Sequence, residues 1–92
     1  MALLSDEEIG SRLAELDGWE RDGDVITKTF ENGDFVGSVK FTGHIVVPAE
    51  EMGHHPDLEI SWDKVKVSIT NHAEGGLTEN DFKLAGKIDE LR

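Results

Sequence analysis

Asp57-Leu58-Glu59-Ile60-Ser61-Trp62-Asp63-Lys64-Val65-Lys66-Val67-Ser68-Ile69 decides the fold. Leu58, Ile60 and Trp62 alternate with Asp57, Glu59 and Ser61, and Val65, Val67 and Ile69 alternate with Lys64, Lys66 and Ser68. A period of two marks half-buried strands, and the short connection at Asp63 makes them an antiparallel pair. The alternation sends Trp62 to the core or to a pocket wall.

Outward on the C-terminal side, Glu74-Gly75-Gly76-Leu77 reads as a loop. Thr78 then caps a helix, with Asp81 three residues on and Phe82, Ala85, Ile88 and Leu91 at helical spacing. On the N-terminal side, residues 34–52 read ambiguously. Phe35, Val39 and Val46 fit a helical face, but Gly37, Gly43 and Pro48 are poor helix-interior residues. Further out, Asp22-Gly23 between two strand-like runs, residues 19–21 and 25–30, signals a hairpin, with Trp19 as a core residue. Ser5-Asp6-Glu7-Glu8 is a capping box that opens a helix with Ile9, Leu13 and Leu16 on one face, ending before Gly18. Four strands and two or three helices give an α+β fold, an antiparallel sheet with helices on one face, in a single domain over residues 1–92.

A chain of 92 residues has room for one core, so a ligand site is expected at an edge or between subunits. Twenty acidic against nine basic side chains leave a net charge of −11. Such a surface repels phosphate backbones, which argues against direct nucleic-acid binding. There is no cysteine, hence no disulfide or thiolate chemistry. The start, Met1-Ala2-Leu3-Leu4-Ser5-Asp6, is too short and too acidic for a signal peptide. No apolar run approaches the roughly 20 residues of a membrane span, so a cytoplasmic location is expected.

Three of the four histidines fall in two clusters: Glu50-Glu51-Met52-Gly53-His54-His55-Pro56, and residues 71–81, which hold His72, Gly75, Gly76, Thr78 and Asp81. Both clusters sit at joints, one before the third strand and one after the fourth. The open ends of a hairpin lie together, so His54 and His55 should come near His72, with Asp81 close by in the first helical turn. Imidazoles donate and accept protons at neutral pH, and carboxylates such as Glu50 and Asp81 orient them. The same set suits anion or zinc binding, but adjacent histidines on a short loop diverge, and no metal is expected. Taken alone, a His-His pair on a loop is as readily incidental, and Asp81 as readily a simple cap. His44 lies outside both clusters and carries no assigned role.

Glu50-x-x-x-His54-His55-Pro56, then Val65-x-Val67, then His72-x-x-Gly75-Gly76-Leu77-Thr78-x-x-Asp81, resembles the pterin-4a-carbinolamine dehydratase family. The likeness extends to Leu3-Leu4-Ser5-Asp6, Leu16-x-Gly18-Trp19 and Ala85, nearly the whole chain. It implies a four-stranded antiparallel sheet with three helices packed on one face, which makes residues 34–52 a long central helix. It also implies a homodimer or homotetramer, no cofactor, and a small-molecule pterin substrate. The implied reaction dehydrates a 4a-hydroxytetrahydropterin to the quinonoid dihydropterin in cofactor recycling. The family's catalytic histidines match His54, His55 and His72. Its supporting acids match Glu50 and Asp81, and Pro56 matches a pocket proline. Trp62 is taken as a supporting, substrate-binding residue, while Leu58, four positions before it, stands where many members have tryptophan. Asn71 stands where threonine is frequent.

The chemistry suits these residues. The N5 electron pair expels the C4a hydroxyl, which an acid protonates to water, and a base takes the N5 proton. His54 and His72 are assigned the acid and base roles in either order, and His55 holds the substrate. Two other readings stay open. One is a non-catalytic oligomeric assembly or transcription partner, a role some members of the resembled family have. The other is the same pocket acting on a different pterin.

Overall fold

The computed structural model describes residues 2–92, and its first helix begins where the capping box puts it. Ser5 Oγ accepts from the Glu8 N–H, and Glu8 Oε1 accepts from the Ser5 N–H at 2.9 Å. That closes α1, Asp6–Ala14, with Ile9 turned into the core. The hairpin follows as β1, Glu20–Asp22, and β2, Val25–Glu31. Asp22 pairs with Val25, so the two-residue loop is Gly23-Asp24, one position later than the Asp-Gly reading. Gly23 takes φ +63° at the first loop position, where a type II′ hairpin turn favours glycine.

Residues 34–52 resolve as one helix, α2, Phe35–Met52, capped by Asp34 Oδ1, which accepts from the Gly37 N–H at 2.7 Å. Its core face is Ser38, Phe41, Ile45, Pro48 and Ala49, spaced three and four apart. Phe35, Val39 and Val46, which suggested the helical face from sequence, point outward, together with Val36 and Val47. The helix is apolar on both sides. Amphipathic periodicity is therefore blurred, and tertiary burial overrides the cost of Gly37, Gly43 and Pro48.

β3, Asp57–Ile60, and β4, Lys64–Ile69, form the expected antiparallel pair, and α3, Glu79–Asp89, follows. The sheet order is β1-β2-β4-β3, all antiparallel. Ile26, Phe30, Val65, Val67 and Ile69 alternate onto one buried face. Thr27, Thr29, Lys66 and Ser68 take the open face in the same register. The core joins the buried strand residues to Ile9 of α1, Phe41 and Ile45 of α2, and Phe82, Leu84, Ala85 and Ile88 of α3. Three helices on one side of a four-stranded sheet is the α+β layering expected.

Trp62 corrects the sequence reading. Strand β3 stops at Ile60 because the Ser61 N–H donates to Lys64 O, closing a turn over Trp62 and Asp63. The alternation ends with the ladder, and Trp62 is 67% exposed at the hairpin tip instead of in the core. Trp19 is buried, and its indole N–H donates to Asp89.

Candidate active site

The end of α2 places the first histidine pair. Gly53 adopts φ +60°, its N–H donates to Glu50 O, and the His54 N–H donates to Ala49 O. These two bonds make a Schellman motif, in which the left-handed residue after the helix is normally glycine. His54 is the motif's final residue, so the helix terminus fixes its backbone. Pro56 then restricts His55 to an extended conformation and leads into β3. Asp57 pairs with Ser68, so β3 starts beside the end of β4. Continuing that register brings residue 54 level with residue 71.

His72 enters on this neighbouring segment. Asn71 organises its turn: its side-chain Oδ1 accepts from the Glu74 N–H, and its carbonyl accepts from the N–H groups of Gly75 and Gly76. The Asn71 N–H returns to Gly76 O. The threonine-to-asparagine departure thus serves the backbone of the His72 loop. The chain then passes Leu77 and Thr78, both buried, into α3.

Asp81, in the first turn of α3, is 0% exposed and carries the densest hydrogen bonding of the site. Its Oδ2 accepts from the Thr78 N–H at 2.6 Å and from Thr78 Oγ1 at 3.1 Å. Its Oδ1 lies 2.6 Å from His54 Nε2, whose side chain is 13% exposed. A carboxylate only accepts, so the His54 proton sits on Nε2 and donates to Asp81. Nδ1 is left without a protein partner among the described residues. A negative charge in the first turn also lies at the favourable end of the α3 dipole.

His55 makes a parallel but open arrangement. Its Nε2 lies 2.5 Å from Glu50 Oε2, and the two side chains are 63% and 68% exposed. Glu50 is in the last turn of α2, which holds no basic residue. A carboxylate there opposes the helix dipole. Such a local conflict is typical of residues kept for a site, and His55 offsets it.

The structure therefore brings His54 onto Asp81 and His55 onto Glu50, with Pro56 next in the chain. His72 itself is exposed and makes no side-chain hydrogen bond among the described residues. Trp62 is not brought there. It lies beyond the far end of β3, about 10 Å of strand from Asp57 at 3.3 Å per residue. The signal that sequence reading missed is Met52-Gly53-His54, a helix-stop glycine that sets the direction of both histidines. Thr78, read only as a cap, also bonds to the site.

No group of three or more histidine, aspartate or glutamate side chains gathers in a metal-holding arrangement among the described residues. His55 and His72 are exposed on the single chain, and His54 is largely shielded. A concavity of about 400 Å³ is lined instead by Asp17, Lys28, Thr29, Phe30, Glu31, Asp89 and Arg92. Its cations are already engaged, Lys28 by Asp89 and Asp17 O, and Arg92 by Asn32 and Glu31 O. No helix among the described residues is long and apolar enough to cross a membrane.

Comparison with known proteins agrees over the full length. The family model described as pterin 4 alpha carbinolamine dehydratase matches residues 2–91. A protein of Roseiflexus sp. (strain RS-1), provisionally named pterin-4-alpha-carbinolamine dehydratase, is 49% identical over 96% of this chain and 95% of its own. One of Thermosynechococcus vestitus with the same provisional name is 48% identical over 96% of this chain and 93% of its own. Among solved structures, a transcriptional coactivator/pterin dehydratase from Brucella melitensis superposes with a TM-score of 0.93 at 32% identity, covering 98% of each chain. A pterin dehydratase-like RuBisCO assembly factor of the alpha-carboxysome shares the fold, with a TM-score of 0.65 at 20% identity over 79% of this chain and 84% of its own.

Proposed function

This chain belongs to the pterin-4a-carbinolamine dehydratase family, and on that premise we propose that it dehydrates a 4a-hydroxytetrahydropterin to the quinonoid dihydropterin and water, in recycling of a pterin cofactor. The observation that carries the reading is the His54–Asp81 pair, a largely shielded imidazole tied through Nε2 to a fully buried carboxylate. It leaves Nδ1 of His54 to face a ligand. His72, on the adjoining loop, is the second proton-transfer group. One imidazole takes the N5 proton, and one imidazolium protonates the departing C4a hydroxyl. His55, held by Glu50, positions the substrate, and Pro56 fixes His55. General acid–base assistance of this kind is worth about 10²–10⁴-fold.

His54→Ala and His72→Ala should each lower the dehydration rate at least about tenfold, while circular dichroism remains that of the parent. Full activity in both variants would remove the mechanism.

We place the working enzyme in the cytoplasm as a homodimer or homotetramer. The support for association is the outward face of α2, where Phe35, Val36, Val39, Val46 and Val47 are all exposed on one chain. A contiguous apolar patch of this kind marks an interaction surface. The same face supports a second reading, a non-catalytic assembly or transcription partner, and the similar Brucella structure bears a coactivator name. That role would survive loss of the histidines and would not survive a charge placed on α2.

A further inference from the structure

We propose that Thr78 is a positioning residue for His54, acting through Asp81. The inference rests on His54 being a proton-transfer group, and it adds a third member to the His54–Asp81 pair. Thr78 is 0% exposed, so its hydroxyl proton must be used inside the protein. It goes to Asp81 Oδ2, 3.1 Å away, the oxygen that already accepts the Thr78 N–H. Two donors from one residue saturate the inner oxygen and set the plane of the carboxylate. The outer oxygen, Oδ1, is thereby aimed at His54 Nε2. With Nε2–H committed to that oxygen, Nδ1 is the only ring nitrogen free to exchange a proton with substrate.

The anchor is firm on its other side as well. Thr78 bridges to Leu3, and the Leu4 N–H donates to Leu77 O. The N-terminal segment thus holds the strand of chain from which the relay starts. A carboxylate free to rotate about χ2 would swing Oδ1 out of line with His54 Nε2, weakening the bond that holds the imidazole in its Nε2–H tautomer. The threonine hydroxyl removes that freedom.

Thr78→Val keeps the side-chain shape and the backbone N–H bond and deletes the hydroxyl, both its donor to Asp81 Oδ2 and its part in the α3 capping box. Thr78→Ser restores the donor. Expected for Thr78→Val is a kcat roughly tenfold lower at unchanged KM, the scale of one hydrogen bond to a charged group. The ¹⁵N signals of the His54 ring should change from a single Nε2–H tautomer to an averaged pair. Thr78→Ser should return both readouts to the parent values. A Thr78→Val protein with parental kcat and a single Nε2–H tautomer, altered only in melting temperature, would make Thr78 a helix cap and overturn the proposal. Should Thr78→Val not fold, Thr78→Cys carries the same comparison with a weaker thiol donor. An intermediate kcat and a mixed tautomer would support the relay, and parental values would overturn it. The NMR readout needs no substrate. If the parent protein shows no dehydration, the functional reading fails while the ring signals still decide the role of Thr78.

Discussion

Replacing Asp81 by asparagine is the sharpest perturbation of the site, because it changes one atom and no shape. Asp81 accepts three hydrogen bonds, two from Thr78 and one from His54. An amide has one accepting oxygen, and the two Thr78 donors claim it. The amide NH2 then faces His54 Nε2 and requires that nitrogen to accept. The ring proton moves to Nδ1, so the nitrogen facing substrate turns from base to donor. Most of the acid–base contribution of His54 should be lost, a fall in kcat of about 10²-fold or more. The loss of charge-assisted bonding at a fully buried position costs about 1–3 kcal/mol. For a domain of this size that is a melting temperature lower by roughly 5–20 °C. Both are measurable on the same preparation, the rate by following the decay of a synthetic 4a-hydroxytetrahydropterin below the transition and the stability by thermal unfolding. A folded Asp81→Asn protein with kcat within about twofold of the parent would refute the tautomer argument, since a switched His54 cannot act as base through Nδ1.

Other consequences follow from the same contacts. The Arg12 guanidinium, bonded to Glu79 through Nε and through Nη2 at 2.9 Å, holds the Glu79 carboxyl below its usual value of 4.5, and the Ser5 N–H does the same for Glu8. Both acids are depressed in the folded chain. Their stabilisation is therefore complete above pH 4.5 and is lost as pH falls below it through the lower folded values. Urea midpoints measured down that range should fall less steeply in Glu79→Gln than in the parent, and an identical slope would contradict the assignment. Gly53→Ala meets no neighbouring atom but must hold φ +60°, so it should cost about 1–2 kcal/mol in denaturant unfolding and should displace His54, lowering kcat as well. Val46→Glu places a charge on the outward face of α2. Sedimentation should show smaller species than the parent protein, whereas a parent that already sediments as a monomer would remove the interface.

The fold was legible where local signals and burial agree. The capping box at Ser5 and Glu8 and the alternation at Val65, Val67 and Ile69 each name one element and one face. The helix over residues 35–52 was not legible from its residues, because valines on the solvent side mask the period of the core side. Trp62 misled for a related reason. Alternation says which face a residue takes only while the ladder lasts, and the Ser61–Lys64 turn ends it two residues earlier. The histidine clusters could be read as neighbours from the hairpin alone. Their pairing could not. That His54 takes Asp81 and His55 takes Glu50 depends on Gly53 turning the chain at the helix end, a conformation written in a single residue. The buried Thr78–Asp81 contact hid behind an ordinary capping pattern, since the same two residues serve both purposes.

The central claim is that the imidazoles of His54 and His72 drive loss of water from a 4a-hydroxytetrahydropterin. Its most direct test is the single-turnover decay of the synthetic 4a-hydroxy compound with the purified protein in excess, monitored by formation of the quinonoid dihydropterin. Expected is decay faster than the uncatalysed reaction by about 10²-fold or more, saturating with protein concentration and falling toward the uncatalysed rate in the His54→Ala, His72→Ala double variant. Decay at the uncatalysed rate in the presence of folded parent protein would contradict it.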